Sequence, residues 1–254
     1  MKFTVRMANM NIEIESLYDH LQEYCKDYCI PECEPDISIK MEMEDIEAER
    51  NGEEGIRFTN EYLETIALLR KIAEVFPMYN RVLCHGAAIT YADEGAFLFT
   101  APSGTGKTTH VRLWRRHFGD DVRVINGDKP FLEIRENTVQ VYGSPWAGKE
   151  GWQKNRDAEL KGICFLKRGN DSSIRRLEPL ECLEWIMNQI YVPKKSGMVD
   201  KTLEHIEKIL ERVPVYELTC NISEKSVGYC FEALTGLKYE EHAIKIKGGK
   251  ENEN

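Results

Sequence analysis

Residues 99–110 read FTAPSGTGKTTH, and this stretch predicts more of the fold than any other part of the chain. The residues before it, GAFLFT at 95–100, form a short continuous apolar run that is typical of a strand buried on both faces. The residues after it, TTHVRLWRRHFG at 108–119, have apolar side chains three and four positions apart and predict an amphipathic helix. We therefore expect a strand, a glycine-rich turn and a helix in direct succession.

The turn at 101–106 has the composition of a phosphate-binding loop, although Ala101 stands where the strict pattern has glycine. Its small residues leave backbone N–H groups free to surround an anion, and the following helix adds its positive dipole end. Lys107 would reach the β- and γ-phosphates of a nucleotide, and the Thr108 hydroxyl would ligate Mg²⁺. The predicted cofactor-binding residues are Ser103, Gly104, Thr105, Gly106, Lys107, Thr108 and Thr109. The alternative is that these small residues only form a turn before a helix.

Asp128 is the second candidate, in the stretch VINGDKP at 124–130. It follows the predicted strand VRVIN at 122–126, one helix and one strand after Lys107, so we expect it at the same edge of the sheet. A carboxylate there can bind Mg²⁺ or accept a proton from an attacking hydroxyl. The alternative is a plain turn residue, since Asn-Gly-Asp is a strong turn signal.

The remaining pattern predicts a mixed α/β protein. We expect strands in 1–15, 37–43, 81–91, 161–166 and 213–219, and a hairpin over 131–142. We expect helices over 17–29, 60–76 (with Asn60 as its cap), 178–191 and 200–213, a last helix ending near Gly236, and a loop over 143–159.

Composition excludes several classes of protein. The 254 residues carry a net charge of −9, so we expect no nucleic-acid partner. No apolar run approaches the roughly 20 residues of a membrane helix, and the N-terminal residues lack the apolar region of a secretory signal. We expect a cytoplasmic protein with no membrane association.

The eight cysteines are expected to be reduced thiols. Cys25, Cys29 and Cys33 are spaced four apart, but Pro31 interrupts any helix that would gather them around a metal. Their spacing matches no zinc or iron–sulfur pattern, so we expect packed, inert thiols.

Four motifs in order resemble the HPr kinase/phosphorylase family and, more distantly, the nucleotide core of PEP carboxykinases. They are CHGAAI (84–89), SGTGKTT (103–109), RVINGDKP (123–130) and KGICFL (161–166). The resemblance covers roughly residues 82–168 and implies a mixed β-sheet P-loop core of that type, flanked by helices. We accordingly expect an N-terminal α+β segment packed on the core (1–80), a P-loop kinase core (81–245) and a disordered polar tail (246–254).

The resemblance implies a phosphotransferase that uses ATP and Mg²⁺. Its catalytic residues would be Asp128, Lys107 and His85. Lys107 and Thr108 would hold phosphate and metal, Asp128 would be base or metal ligand, and His85 would line the site. Taken alone, His85 could equally be a hydrogen-bonded core histidine.

Two departures from the family limit what is carried over. Gly127 stands where the family has the first of two adjacent acids, and no segment matches its basic loop of the type PVRPGRN. Phosphorylase activity and HPr as substrate are therefore not expected. Related kinases of this fold modify serine in precursor peptides, and the chain is similar to that wider group.

The loop YGSPWAGKEGW at 142–152 is the candidate acceptor site. Lys149 or Arg156 could neutralise charge on the transferred phosphoryl group, and Trp146 could exclude water. The alternative is a surface loop pinned by Trp146. We expect an ATP-dependent kinase that phosphorylates a serine of a peptide or small protein. An oligomer is compatible with the sequence. The alternatives are a sugar or polyol kinase and a nucleotide-gated regulatory protein without catalysis.

Overall fold

The computed structural model describes residues 1–50, 58–92 and 94–244. The tail expected to be disordered, residues 246–254, lies outside these described residues. Within them the chain forms a sheet of four strands and a sheet of nine, with helices packed on both, which confirms a mixed α/β fold. No helix of the described parts is long and apolar enough to cross a membrane.

The smaller sheet is built from the N-terminal residues. Its strands are β1 (Lys2–Met7), β2 (Met10–Glu15), β3 (Cys29–Ile30) and β4 (Ile37–Lys40), in the order β3–β1–β2–β4. Ala8 and Asn9, between β1 and β2, both have positive φ, as tight two-residue hairpin loops require. Val5, Ile12 and Ile14 are fully buried on one face of this hairpin, so the sheet has one apolar side to cover.

Three helices accompany the smaller sheet: α1 (His20–Tyr24), α2 (Met43–Arg50) and α3 (Asn60–Val75). The long helix α3 buries Ala67, Leu68 and Ile72 against the sheet. Its cap is Thr59, whose hydroxyl accepts a hydrogen bond from the backbone N–H of Tyr62, so the expectation of Asn60 as cap was wrong.

The larger sheet carries the glycine-rich loop. Its strands are β5 (Arg81–Leu83), β6 (Ala87–Tyr91), β7 (Ala96–Thr100), β8 (Val122–Asn126), β9 (Phe131–Ile134), β10 (Val139–Tyr142), β11 (Asp157–Arg168), β12 (Ser173–Leu177) and β13 (Val215–Cys220). The order is β5–β9–β10–β11–β7–β6–β8, with β13 beside β11 and β12 beside β13. Strands β7, β11 and β13 are parallel, whereas β6 runs antiparallel to both β7 and β8. The carboxyl ends of β7 and β8 therefore lie at one edge, on either side of the start of β6.

Helices cover both faces of the larger sheet. They are α4 (Lys107–Phe118), α5 (Pro179–Met187), α6 (Met198–Arg212), α7 (Glu224–Thr235) and α8 (Tyr239–His242). Phe97 and Phe99 of β7 pack with α4 and α7, whereas Leu98 packs on the opposite side with α5 and α6. This two-sided burial explains why residues 95–100 are continuously apolar.

Two predicted strands differ from those observed. The stretch 81–91 divides into β5 and β6, which pair with different neighbours, because the chain bends at Gly86. A Cβ at Gly86 would lie 3.0 Å from the carbonyl oxygen of Phe99, so glycine allows this close passage without a shift of the neighbouring strand. The strand predicted over 37–43 ends at Lys40, where its partner β2 ends, and Met43 instead begins α2.

Two further elements depart from the sequence analysis. The helix predicted over 17–29 is reduced to α1 and a 3₁₀ turn at Lys26–Tyr28. The edge strand β12 was missed because its residues are mostly polar and exposed. The hairpin predicted over 131–142 is confirmed as β9 and β10.

Candidate functional site

The glycine-rich loop connects the carboxyl end of β7 to the first turn of α4. Gly104 and Gly106 have φ of 76° and 121°, a region that favours glycine. A Cβ built on either residue would meet no atom within 4 Å, so space is open above the loop. The loop thus combines a helix N-terminus, glycines with positive φ and room for an anion.

Lys107 is the first residue of α4, and its side chain is buried beneath the loop. Its ammonium donates a hydrogen bond of 2.8 Å to the carbonyl oxygen of Ala101. Burial lowers the pKa of Lys107, and the carboxylate of Asp128 partly offsets this effect. Lys107 and Asp128 are therefore close enough for their charges to interact.

Arg168, at the carboxyl end of β11, braces the loop from outside. Its guanidinium donates to the carbonyl oxygens of Gly104 and Thr105. These two carbonyl oxygens would otherwise repel a phosphate, and the positive charge of the guanidinium offsets that repulsion. The sequence analysis missed Arg168; the available signal was its position at the end of a buried strand.

The turn after β8 is organised by the side chain of Asn126, which is fully buried. Its Oδ1 accepts hydrogen bonds from the backbone N–H groups of Asp128 (2.8 Å) and Lys129 (2.7 Å), and its Nδ2 donates to Ser144 O (2.9 Å). The Asn-Gly-Asp turn is therefore present, and the side chain of Asn126, not that of Asp128, supplies its hydrogen bonds. The turn does not use the carboxylate of Asp128.

An imidazole ring and an ammonium group contact that carboxylate. Nε2 of His85 lies 3.2 Å from Oδ1 of Asp128, and Nζ of Lys129 lies 2.9 Å from Oδ2. Burial raises the pKa of Asp128, but the His85 hydrogen bond and the charge of Lys129 outweigh it and lower the pKa to about 2. Asp128 is therefore ionised at neutral pH, and its affinity for a proton is weak.

The backbone around His85 joins three strand ends. The carbonyl oxygen of His85 accepts from the Thr100 hydroxyl (2.7 Å), and the N–H of Gly86 donates to Asp128 O (2.9 Å). The N–H of His85 donates to Gln189 O at 2.7 Å. The ring of His85 is 27% exposed, so it faces the site rather than the core.

Gly127 has a steric role. A Cβ at this position would lie 2.6 Å from the carbonyl oxygen of Ala147, far inside van der Waals contact. The backbone at Ala147 and Gly148 passes directly over the Asn126–Asp128 turn. A side chain at 127, including the acid found in the families that the motifs resemble, would displace this segment.

The three candidate acceptor residues do not converge. The indole of Trp146 is buried among the N-terminal apolar residues, and its Nε1 donates to the carbonyl oxygen of Thr65 at 2.9 Å. This geometry corresponds to the alternative in which Trp146 pins the loop. Lys149 and Arg156 are exposed, on either side of Trp152 in the chain.

The described residues include no group of three or more His, Cys, Asp or Glu side chains placed to hold a metal ion. All eight cysteines are free thiols. Cys25 is buried and burial raises its pKa, as expected for a packed thiol. Cys33 is exposed, so the expectation of packing was wrong for it, because it lies beyond Pro31 in an irregular segment.

A cavity of about 590 Å³ opens beside the loop, between the start of α4 and the ends of β11 and β13. Its lining includes Thr105, Thr109, Leu113, Arg168, Asn221 and Ile222. Leu113 and Ile222 give the cavity apolar surface, and Thr109, Arg168 and Asn221 give it polar groups. This space adjoins the open side of the glycine-rich loop.

Comparisons with known proteins give a structural likeness without a sequence match. No family model matches the chain, and no curated protein matches it in sequence. Among solved structures, the chain is similar to the Hpr(Ser) kinase/phosphatase from Coxiella burnetii, with 11% identity and a TM-score of 0.33. The likeness covers 60% of this chain and 92% of that one. The comparisons assign the chain to no family, so its function is argued below from its own residues.

Proposed function

We propose that the chain is an ATP-dependent kinase that transfers the γ-phosphoryl group to a serine hydroxyl of a peptide or small protein. One observation carries the proposal: His85, whose ring lies 3.2 Å from the carboxylate of Asp128, is bonded through its backbone to Thr100, the residue that leads into the glycine-rich loop. A phosphate site and a carboxylate that face each other are the parts that phosphoryl transfer requires.

The loop has the features needed to hold a phosphate chain. Its glycines leave space for oxygen anions, and the N-terminus of α4 supplies unpaired N–H groups. The ammonium of Lys107, now bonded to Ala101 O, would exchange that carbonyl for a phosphate oxygen. This exchange is favourable because a phosphate oxygen carries negative charge and attracts the ammonium more strongly than a neutral carbonyl oxygen does.

The donor set fits Mg²⁺ bound together with a nucleotide. Magnesium keeps several waters and takes one or two carboxylates plus phosphate oxygens, so it needs no complete protein cage. Asp128 and the half-buried Thr108 hydroxyl are the residues that would hold it. When bound, the ion would neutralise charge on the β- and γ-phosphates.

The cavity beside the loop would take the nucleoside. Leu113 and Ile222 supply apolar surface for a purine, and Asn221 and Thr109 supply polar groups for the ribose. Its volume of about 590 Å³ lies within the usual range for ligand pockets.

Asp128 is better suited to orientation than to proton abstraction. An efficient general base has a pKa near the working pH, and the pKa of Asp128 is about 2. In phosphoryl transfer the transition state is loose, and positioning contributes more than early deprotonation. We therefore assign Asp128 to holding metal and aligning the acceptor hydroxyl.

The test follows label from ATP radiolabelled at its γ-phosphate to serine peptides, with nucleotide binding measured separately. Lys107→Ala should weaken ATP binding by about 10- to 100-fold, the loss of one charge-assisted hydrogen bond. Asp128→Asn should retain binding but slow transfer by about 10²-fold, the cost of misaligning the acceptor hydroxyl. Lys201→Ala, at an exposed position of α6, is the control. ATP binding without label on any acceptor would instead indicate a regulatory protein.

A second candidate is a kinase for a sugar or polyol. A cavity of about 230 Å³ beside Pro102 is lined by Trp185, Asn188, Gln189 and Glu217, among others. An aromatic ring with amide and carboxylate groups around it suits a small polyhydroxyl molecule. Label on sugars or polyols, lost in Trp185→Ala but not in Lys201→Ala, would favour this function.

A further inference from the structure

A basic groove runs along the edge of the larger sheet, beside the turn that carries Asp128. It lies between β8 and the segment Gly151–Arg156, with a volume of about 410 Å³. The groove is lined by Arg115, Val122, Arg123, Val124, Gly151, Trp152, Gln153, Lys154 and Arg156. Four of these nine residues are cations, and none is an acid.

The four cations are free of ion pairs within the part of the chain that the structure describes. Among the described residues, no carboxylate forms an ion pair with Arg115, Arg123, Lys154 or Arg156. The chain as a whole has nine more acidic than basic residues, so acids are abundant elsewhere. A groove that concentrates positive charge on an acidic protein attracts an anionic partner.

Trp152 organises one wall of the groove. The guanidinium groups of Arg112 and Arg115 lie 5.7 Å and 5.8 Å from its ring centre, within cation–π range. Arg112 is neutralised by Glu150 at 3.4 Å, whereas Arg115 remains available. The ring therefore positions one unpaired guanidinium at the groove.

The other wall is a strand edge. β8 is the end strand of its sheet. Its outer edge is contacted near its carboxyl end, where Lys154 N donates a hydrogen bond to Ile125 O and Gln153 forms an isolated antiparallel bridge with Asn126. No other strand of the described residues pairs with the outer edge at Val122–Val124. Such an edge can bind an extended peptide through main-chain hydrogen bonds.

The groove lies next to the candidate site, and the segment Trp152–Lys154 separates the two. The Cβ of Trp152 lies 3.4 Å from the position that a Cβ on Gly127 would occupy, and Gln153 and Lys154 meet the outer edge of β8 at Asn126 and Ile125. Arg123 precedes Asp128 by five residues and β8 ends at Asn126, so about 16 Å, at about 3.3 Å per residue of strand, is an upper limit for their separation. A peptide whose acidic part lies in the groove would pass over this segment and reach Asp128 with a residue at least about five positions away.

We propose that the groove binds an acidic segment of the acceptor peptide beside Val122–Val124, so that a serine at least about five positions away meets Asp128. This rests on the proposed kinase function. Transfer breaks the bond between the γ-phosphorus and the β,γ-bridging oxygen, and ADP leaves with the electron pair. The serine Oγ forms the new bond to phosphorus, and its proton is released to water.

A peptide fits the groove better than a nucleic acid. A strand edge supplies backbone partners in the spacing of another strand, which a nucleic acid does not match. The chain's net charge of −9 also opposes a long polyanion, which extends far beyond one groove. A short acidic segment contacts the cations and avoids the remaining surface.

The test measures binding of fluorescent serine peptides by anisotropy, without nucleotide. One peptide has glutamates about five positions before the serine, another has them after it, and controls have glutamine instead. At least one glutamate peptide should bind tighter than its glutamine control, and binding should weaken as salt rises from about 50 to 500 mM. The double variant Arg123→Ala with Arg156→Ala should lower its affinity by roughly tenfold, because each exposed contact contributes up to about 1 kcal/mol.

Arg176→Ala, an exposed arginine of β12 at the far side of the sheet, is the matched control and should leave peptide binding unchanged. Equal binding of glutamate and glutamine peptides, or no effect of the double variant, would overturn the proposal. So would an oligothymidylate that binds the groove more tightly than every peptide.

Nucleotide titration separates this proposal from the function on which it rests. The double variant should bind ATP as the wild type does and should label the glutamate peptide more slowly only at low peptide concentration. A wild-type protein that binds the glutamate peptide through Arg123 but never binds ATP would overturn the kinase function alone. Equal phosphorylation of glutamate and glutamine peptides at low peptide concentration would overturn the proposal for the groove and leave the kinase function intact.

Discussion

Nε2 of His85 lies 3.2 Å from Oδ1 of Asp128, and this contact joins the start of β6 to the turn that follows β8. The backbone repeats the connection, since Gly86 N donates to Asp128 O. Because main-chain hydrogen bonds also hold this pair, the orientation of the Asp128 carboxylate is restricted before any substrate binds. Such preorganisation is what a site needs to align a reacting group.

The first prediction concerns this pair. His85→Ala should raise the pKa of Asp128 from about 2 toward its ordinary value of 3.8, because the largest lowering contribution comes from the His85 hydrogen bond. Carboxyl ¹³C chemical shifts measured across a pH titration would report it. His85→Gln retains an N–H donor and should shift the pKa less. An unchanged titration in His85→Ala would show that the contact does not act on Asp128.

The second prediction concerns Arg168. Arg168→Ala should weaken ATP binding by about 2- to 10-fold, since each lost hydrogen bond to the loop contributes about 0.5–1.5 kcal/mol. Calorimetric titration with ATP measures this, and Arg176→Ala is the exposed control. Because Arg168 acts on the loop carbonyls, the hydrogen exchange of amides in 103–107 should also rise without ligand. Equal exchange in variant and wild type would remove its role in bracing the loop.

The third prediction concerns Gly127. Gly127→Ala should lower the free energy of unfolding by about 1–3 kcal/mol, because a methyl group would meet the carbonyl oxygen of Ala147 at 2.6 Å. Urea denaturation measures the change. Gly228→Ala in helix α7 is the control with the opposite expectation, since its Cβ would make ordinary contacts from 3.4 Å and alanine favours helix by about 0.5–1 kcal/mol. Similar destabilisation of both variants would contradict the steric explanation.

Local features of the site were predictable from the sequence. The strand, glycine-rich loop and helix over 95–119 depend on short-range signals: continuous apolar residues, glycines and helical periodicity. The loop starts and ends within a few residues of its expected bounds, with α4 beginning at Lys107. The position of Asp128 after β8 follows from the same kind of pattern, because one strand and one helix have limited ways to return to the sheet.

Long-range features of the site were not predictable. Arg168 reaches the loop because β11 pairs with β7, and nothing near residue 168 in the sequence encodes that pairing. The indole of Trp146 lies against helix α3, far away in the chain, although its loop reads as surface. Asn126 reads as an ordinary turn residue, and only its burial shows that it makes the turn. These roles depend on strand order, which local periodicity does not determine.

The fourth prediction concerns the junction between the two sheets. Trp146→Phe should cost about 1 kcal/mol, the net contribution of its hydrogen bond to Thr65 O, and Trp146→Ala should cost about 3–5 kcal/mol. Hydrogen exchange measured by NMR locates the effect. Amides of α3 should lose more protection than amides of β7, because Trp146 packs with the N-terminal residues. Equal loss in both elements would show that residues 1–80 do not depend on this contact in particular.

The last prediction concerns pH and His110, which is buried in α4 and accepts a hydrogen bond of 3.1 Å from Trp114 Nε1. Burial lowers the pKa of His110 to about 3 from 6.5. Between pH 3 and pH 6.5 this histidine binds a proton in the unfolded chain but not in the folded chain. The free energy of unfolding therefore decreases as the pH falls, by up to about 1.4 kcal/mol per pH unit. Urea denaturation at pH 7 and pH 5 measures this slope. His110→Gln can still accept from Trp114 but does not titrate, so its slope should be smaller by that amount. The same slope in both proteins would mean that His110 is protonated in the folded state.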